Sequence, residues 1–177
     1  MSLSPGPLTP QGEGFFTWHA YDPACKAELW STGYTGPQGS VLFDPIPWPK
    51  DSPFPPSPVR IVRTNGNHDR DCAGLAENMK GQMAASVPEF TAVPLPGAGE
   101  EEMAYFHGAS GTLVVGDALI HLAPHGLIPL PDKYCADGVL LKKSLRALLP
   151  LGIRRIFFAH GDPILQDGAE RIHQLLA

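Results

Sequence analysis

The sequence predicts an α+β fold, and three observations carry the prediction. Residues 15–44 hold apolar and alternating runs joined by turn residues, the pattern of an antiparallel hairpin. A strand-like run, Val59-Arg60-Ile61-Val62-Arg63, then leads through a polar turn into Cys72, Leu75, Ala76, Met79 and Met83, spaced as one face of a helix. From residue 103 onward, apolar strand-like runs again alternate with helical spacing.

Composition narrows the classes. A chain of 177 residues is long enough for one domain with a proper core, and 43% hydrophobic content suits a globular protein. The formal charge of −5 gives no reason to expect nucleic acid, which favours basic surfaces. No apolar run is long enough to span a bilayer, and Met1-Ser2-Leu3-Ser4-Pro5-Gly6-Pro7 lacks the charged and apolar regions of a signal peptide. The expectation is a cytoplasmic protein whose partner is a small-molecule substrate or ligand, not nucleic acid or membrane. The sequence favours neither monomer nor oligomer. Cys25, Cys72 and Cys135 are widely spaced and odd in number, against both a disulfide framework and a zinc ribbon. Cys72 falls on the apolar helix face and reads as a buried thiol.

Residues 1–14, rich in Pro, Gly and Ser, read as a flexible arm, and residues 15–177 as a single domain. Phe15–His19 reads as an edge strand, with Glu28–Tyr34 and Ser40–Asp44 joined by Thr35-Gly36-Pro37-Gln38-Gly39 turn chemistry. Residues 45–58 carry seven prolines, which neither continue a helix nor donate to a sheet. This loop is a plain connector, or a wall in which Trp48 and Phe54 offer apolar contact. Phe90, Ala92 and Val93 read as a short strand, and Glu100-Glu101-Glu102 as a solvated face. Residues 103–120 read as two strands around a Gly/Ser turn. His121 and His125 read as surface histidines. Residues 136–149 place Leu141, Leu145, Leu148 and Leu149 on one helix face. Ile156–Ala159 reads as a buried strand, and Asp167 with Glu170 as a capping box opening the last helix.

The polar turn Thr64-Asn65-Gly66-Asn67-His68-Asp69-Arg70-Asp71 is the most informative stretch. It lies at the carboxyl end of a strand, where open α/β sheets bind ligands. A helix cap formed by Asn67 or Asp69 explains one of its polar residues, not all of them. The turn resembles a degraded form of the metallo-β-lactamase superfamily signature, Thr-His-x-His-x-Asp-His. Asn65 and Asn67 stand where two metal-binding histidines would be, Asp69 matches the aspartate, and Arg70 replaces the last histidine. Gly116-Asp117 resembles the family's Gly-Asp segment, whose aspartate binds metal. Ala159-His160-Gly161, with Pro163 close behind, resembles its last motif and makes His160 a ligand. Asp44-Pro45 resembles a family element whose aspartate supports the site. His107 lies in the region of the third-motif histidine without the usual Gly-His pairing. The resemblance runs in order over residues 28–176 and implies a compact four-layer αββα sandwich.

It also implies hydrolase-like chemistry, in which a metal lowers the pKa of water for attack on an ester, thioester or phosphodiester. The metal candidates are Asp69, Asp117 and His160, with His68 displaced by one residue from a family position. Asp69 and His68 are the catalytic candidates. Zinc is the expected ion, with iron or manganese as alternatives. Asparagine is a poor replacement ligand and arginine a worse one, which argues for a mononuclear or weak site. The alternative is a metal-free, non-catalytic protein in which Asn65, Asn67 and Arg70 hold a small anionic ligand. A nucleophilic enzyme using Ser110 or Cys72 ranks third, because no Gly-x-Ser-x-Gly elbow and no paired base are visible.

Overall fold

The computed structural model describes residues 3–177. They divide into two compact units, Met1–Arg63 with His68–Pro88, and Thr64–Asn67 with Glu89–Ala177. The chain passes from one to the other three times, so neither unit is a contiguous segment.

The first unit is built on a six-stranded sheet: β1 (Thr9–Gly12), β2 (Phe15–Asp22), β3 (Ala27–Gly36), β4 (Gly39–Phe43), β5 (Val59–Val62) and β6 (Gln82–Met83), hydrogen-bonded in that order. β1 to β4 form an antiparallel meander, and β5 and β6 join in parallel. Residues two apart share a sheet face. Trp18 and Ala20, Leu29, Leu42, and Val59 and Ile61 make one apolar surface, covered by Cys72, Leu75 and Met79 of helix α1 (Cys72–Met79). The opposite face, with Thr32, Tyr34, Val41, Phe43 and Val62, is buried too, which is why Val41-Leu42-Phe43 reads as a continuous apolar run.

Three expectations differ from the structure here. Residues 9–12 form β1 on the sheet edge, and Leu3 and Leu8 pack on the core, so the arm is not loose over this stretch. The helix stops before Met83, because Lys80 turns left-handed (φ 51°) and its N–H closes the last turn onto Ala76 and Glu77. The next residues then extend, so Met83 is a strand residue half exposed at the sheet edge. The capping position falls on Asp71, which makes no side-chain cap bond, and not on Asn67 or Asp69.

The second unit holds a four-stranded sheet built from β7 (Phe90–Pro94), β8 (Met103–His107), β9 (Thr112–Val115) and β12 (Arg155–Phe158), hydrogen-bonded in the order β12-β9-β8-β7. β12 lies parallel to β9, and the other pairs are antiparallel. A separate hairpin joins β10 (Leu119–Leu122) to β11 (Gly126–Pro129). Helix α2 (Gly138–Ser144) tightens into a further turn, Leu145–Leu148, and helix α3 (Gly168–Leu175) ends the chain. Leu141, Leu145, Leu148 and Ile172 pack on Leu113, Val115, Ile156 and Phe158, as the leucine stripe predicts. Asp137 caps α2 by accepting from the Leu140 N–H at 2.9 Å. At α3 the capping box does not form: Asp167 is left-handed (φ 60°) without a cap bond, and Glu170 accepts from Gln174 instead. Each unit thus pairs a sheet with helices, giving the α+β content expected. Among the described residues, no helix is long and apolar enough to cross a membrane.

Candidate metal centre

In the first unit His68 is oriented by Asp44, which follows β4. Asp44 is buried, and its backbone is left-handed (φ 46°). Several bonds hold this unfavourable conformation. Ser31 Oγ donates to the Asp44 carbonyl at 2.8 Å and accepts from the Ile46 N–H at 2.9 Å. Arg70 Nη1 donates to the same carbonyl at 2.8 Å and to the Trp30 carbonyl at 2.5 Å. The Asp44 carboxylate then lies 2.9 Å from Nδ1 of buried His68. At this distance the carboxylate accepts a hydrogen bond from Nδ1–H, which keeps the proton on Nδ1 and leaves the Nε2 lone pair for a metal. Carboxylate–histidine–metal arrangements work in this way. We expect Asp44→Ala to lower zinc affinity about 10- to 100-fold, read by competition with a chromophoric chelator. Unchanged affinity would show that His68 is oriented by something else.

The neighbours of His68 are placed otherwise than the motif suggests. The Asp69 side chain is 80% exposed and pairs with Arg63. Within this turn it is therefore His68, and not Asp69, that faces the Asp44 carboxylate. Arg70 spends Nη1 on backbone carbonyls, which fits a structural role better than anion capture. Cys72 is buried against the His68 carbonyl, and burial followed by the Asp44 charge pushes its thiol up to about 12. It is therefore no nucleophile. Iodoacetamide at pH 8 should modify exposed Cys25 and spare Cys72 in the folded protein, as read by peptide mass spectrometry. Rapid labelling of Cys72 would contradict its burial. The proline loop is anchored, since Trp48 packs edge-on to Trp18 with ring centroids 5.2 Å apart. With Phe54, Asp71, Leu75 and Asn78, Trp48 lines a cleft of about 420 Å³.

In the second unit, Thr64–Asn67 is tied down by its backbone. The Met103 N–H donates to the Thr64 carbonyl at 2.7 Å, and the Gly66 N–H to the Glu100 carbonyl at 2.8 Å. Asn65 is buried with both ends of its carboxamide engaged. Its Oδ1 accepts from the Asn67 N–H, and its Nδ2 donates to Glu102 Oε2, each at 2.9 Å. Asn67 is exposed. Asp117 follows β9 and His160 follows β12, two parallel neighbours, so both side chains emerge at the same sheet end. His160 Nε2 stands 3.3 Å from Asp117 Oδ1. Two ligand atoms held about 2.0–2.1 Å from a tetrahedral zinc are roughly 3.3 Å apart, so this spacing suits joint coordination.

Other histidines lie elsewhere. His107 pairs with Thr112 at the end of the β8–β9 ladder away from Asp117. It closes a buried chain in which Arg155 donates to Thr112 Oγ1, Thr112 Oγ1 lies 2.7 Å from Ser110 Oγ, and Ser110 Oγ lies 2.7 Å from His107 Nδ1. A paired base for Ser110 therefore exists, contrary to expectation. The serine is buried, however, and held by both neighbours, which leaves it no access to a substrate. His121 donates to the Asp162 carbonyl, and His125 is exposed. Glu102 is the residue that sequence reading missed. It is buried, not solvated, and nothing local distinguishes it from Glu100 and Glu101.

Several solved structures share this architecture. The metallo-β-lactamase FIM-1 from Pseudomonas aeruginosa, in its mono-zinc form, superposes with a TM-score of 0.70 at 15% identity, covering 99% of this chain and 95% of that one. A metallo-β-lactamase from Hirschia baltica gives 0.67 at 12%, covering 99% and 98%. A metallo-β-lactamase family protein from Thermus thermophilus gives 0.62 at 14%, covering 94% and 79%. No family model and no curated protein matches the chain. At these identities the likeness defines the architecture: the chain has the metallo-β-lactamase fold.

Proposed function

We propose that the protein is a hydrolase-like metalloprotein binding one divalent ion, zinc in the first instance, through His68, Asp117 and His160. The Asp117–His160 pair carries this reading, its donor atoms 3.3 Å apart at one sheet end, and His68, held by Asp44, supplies the third donor that the sequence suggests. Two imidazoles and one carboxylate suit zinc, and three protein ligands leave a position open for water or substrate. When bound, the ion would lower the pKa of that water and polarise an ester, thioester or phosphodiester. The chain's own part is to orient the donors: Asp44 sets the tautomer of His68, and the ends of β9 and β12 hold Asp117 and His160 side by side. The metal-free reading through Asn65, Asn67 and Arg70 has less support, because Asn65 and Arg70 already bond within the chain.

The test is a panel of small esters, thioesters and phosphodiesters offered to zinc-loaded protein, chelator-stripped protein and His160→Ala. Turnover lost on chelation and in the variant is the expected result. Turnover that survives both would overturn the assignment.

A further inference from the structure

We propose that Asn65 and Glu102 form a positioning clasp that fixes the turn carrying Asp117, where the family signature would place a metal-binding histidine. The proposal rests on the reading of Asp117 as a ligand. Both residues are buried, at 2% and 3% exposure. Glu102 uses both carboxylate oxygens: Oε2 accepts from Asn65 Nδ2 at 2.9 Å, and Oε1 accepts from the Ala118 N–H at 3.0 Å. Ala118 follows Asp117, so this bond sets the peptide plane from which the Asp117 side chain departs. A buried carboxylate is costly unless such donors meet it. Asn65 suits the task because a carboxamide carries a donor and an acceptor on one carbon. It donates to Glu102 while accepting from the Asn67 N–H.

Gly116 belongs to the same device. A Cβ there would stand 2.3 Å from Thr64 Oγ1 and 2.7 Å from Glu102 Oε1, so the turn approaches the clasp only without a side chain. The clasp thus joins the degraded first motif to the Gly-Asp motif by hydrogen bonds. Glu102 is a positioning residue, acting on the metal through Asp117.

A charge-swap cycle tests it. Glu102→Gln sets an amide donor against another donor, and Asn65→Asp sets two carboxylates against each other. The double variant N65D/E102Q exchanges donor and acceptor across the pair, and both clasp bonds return. Each single variant should weaken zinc binding at least about tenfold, with the double variant recovering to within about threefold of wild type. Amide hydrogen exchange at Ala118, measured on metal-free protein, should accelerate in E102Q and slow again in the double variant. A double variant no better than the singles, or Ala118 exchange indifferent to E102Q, overturns the clasp. If a single variant does not fold, recovery of folding and zinc affinity in the double variant decides the question. If the wild type takes up no zinc, the functional reading fails, and Ala118 exchange still decides the clasp.

Discussion

Asp117→Ala is expected to abolish metal uptake, with zinc affinity falling more than about 100-fold. The carboxylate supplies the one negative charge in the proposed donor set. Without it two neutral imidazoles remain, which hold a divalent ion poorly. The loss should be local, because Asp117 is partly exposed and the turn beside it stays bonded through Ala118. Circular dichroism should therefore be unchanged while elemental analysis after dialysis finds no metal. Asp69→Ala is the control. It alters an aspartate that the signature would make a ligand, but this side chain faces solvent and pairs with Arg63. Uptake should stay at the wild-type level. Metal retained in Asp117→Ala, or lost in Asp69→Ala, would reverse the roles given to the two aspartates.

The second large effect is expected at Gly161→Ala, with a loss of about 3–5 kcal/mol in unfolding free energy. Gly161 has φ 109°, a conformation that L side chains rarely adopt, and a Cβ there would lie 1.9 Å from the His121 carbonyl oxygen. That contact is backbone, so no side chain can swing away to relieve it. The local pairing of His121 with Gly161 and the bond from the His121 N–H to the His160 carbonyl must break or shift. Metal affinity should fall with stability, because His160 shares the displaced peptide. Gly152→Ala meets nothing within 4 Å and should change stability by less than about 1 kcal/mol. Denaturant unfolding of both variants checks the contrast, and equal stabilities would contradict it.

What was legible in the sequence was what adjacent residues encode. The alternation at Val59–Val62 and the leucine stripe of α2 depend on local periodicity, and Asp117 and His160 stood out through short motifs that resemble those of a known family. The fold followed because those pieces occur in order. The helix boundary at Lys80 was not legible, since helical spacing continues through Met83 while one left-handed residue redirects the chain. Within the polar turn, motif matching pointed to Asp69. Adjacent side chains in a tight turn point in different directions, and Arg70 is itself left-handed (φ 38°). His68 consequently faces the Asp44 carboxylate while Asp69 faces solvent. Glu102 was hidden for a different reason. Its partner Asn65 is 37 residues away, and three successive glutamates look alike until the fold buries one of them.

The most direct test of the central claim is the zinc content of purified, reconstituted protein beside its His68→Ala variant. The account predicts about one equivalent of zinc per chain, lost when His68 is replaced. Two equivalents in the wild type, or no uptake under any reconstitution condition, would contradict it.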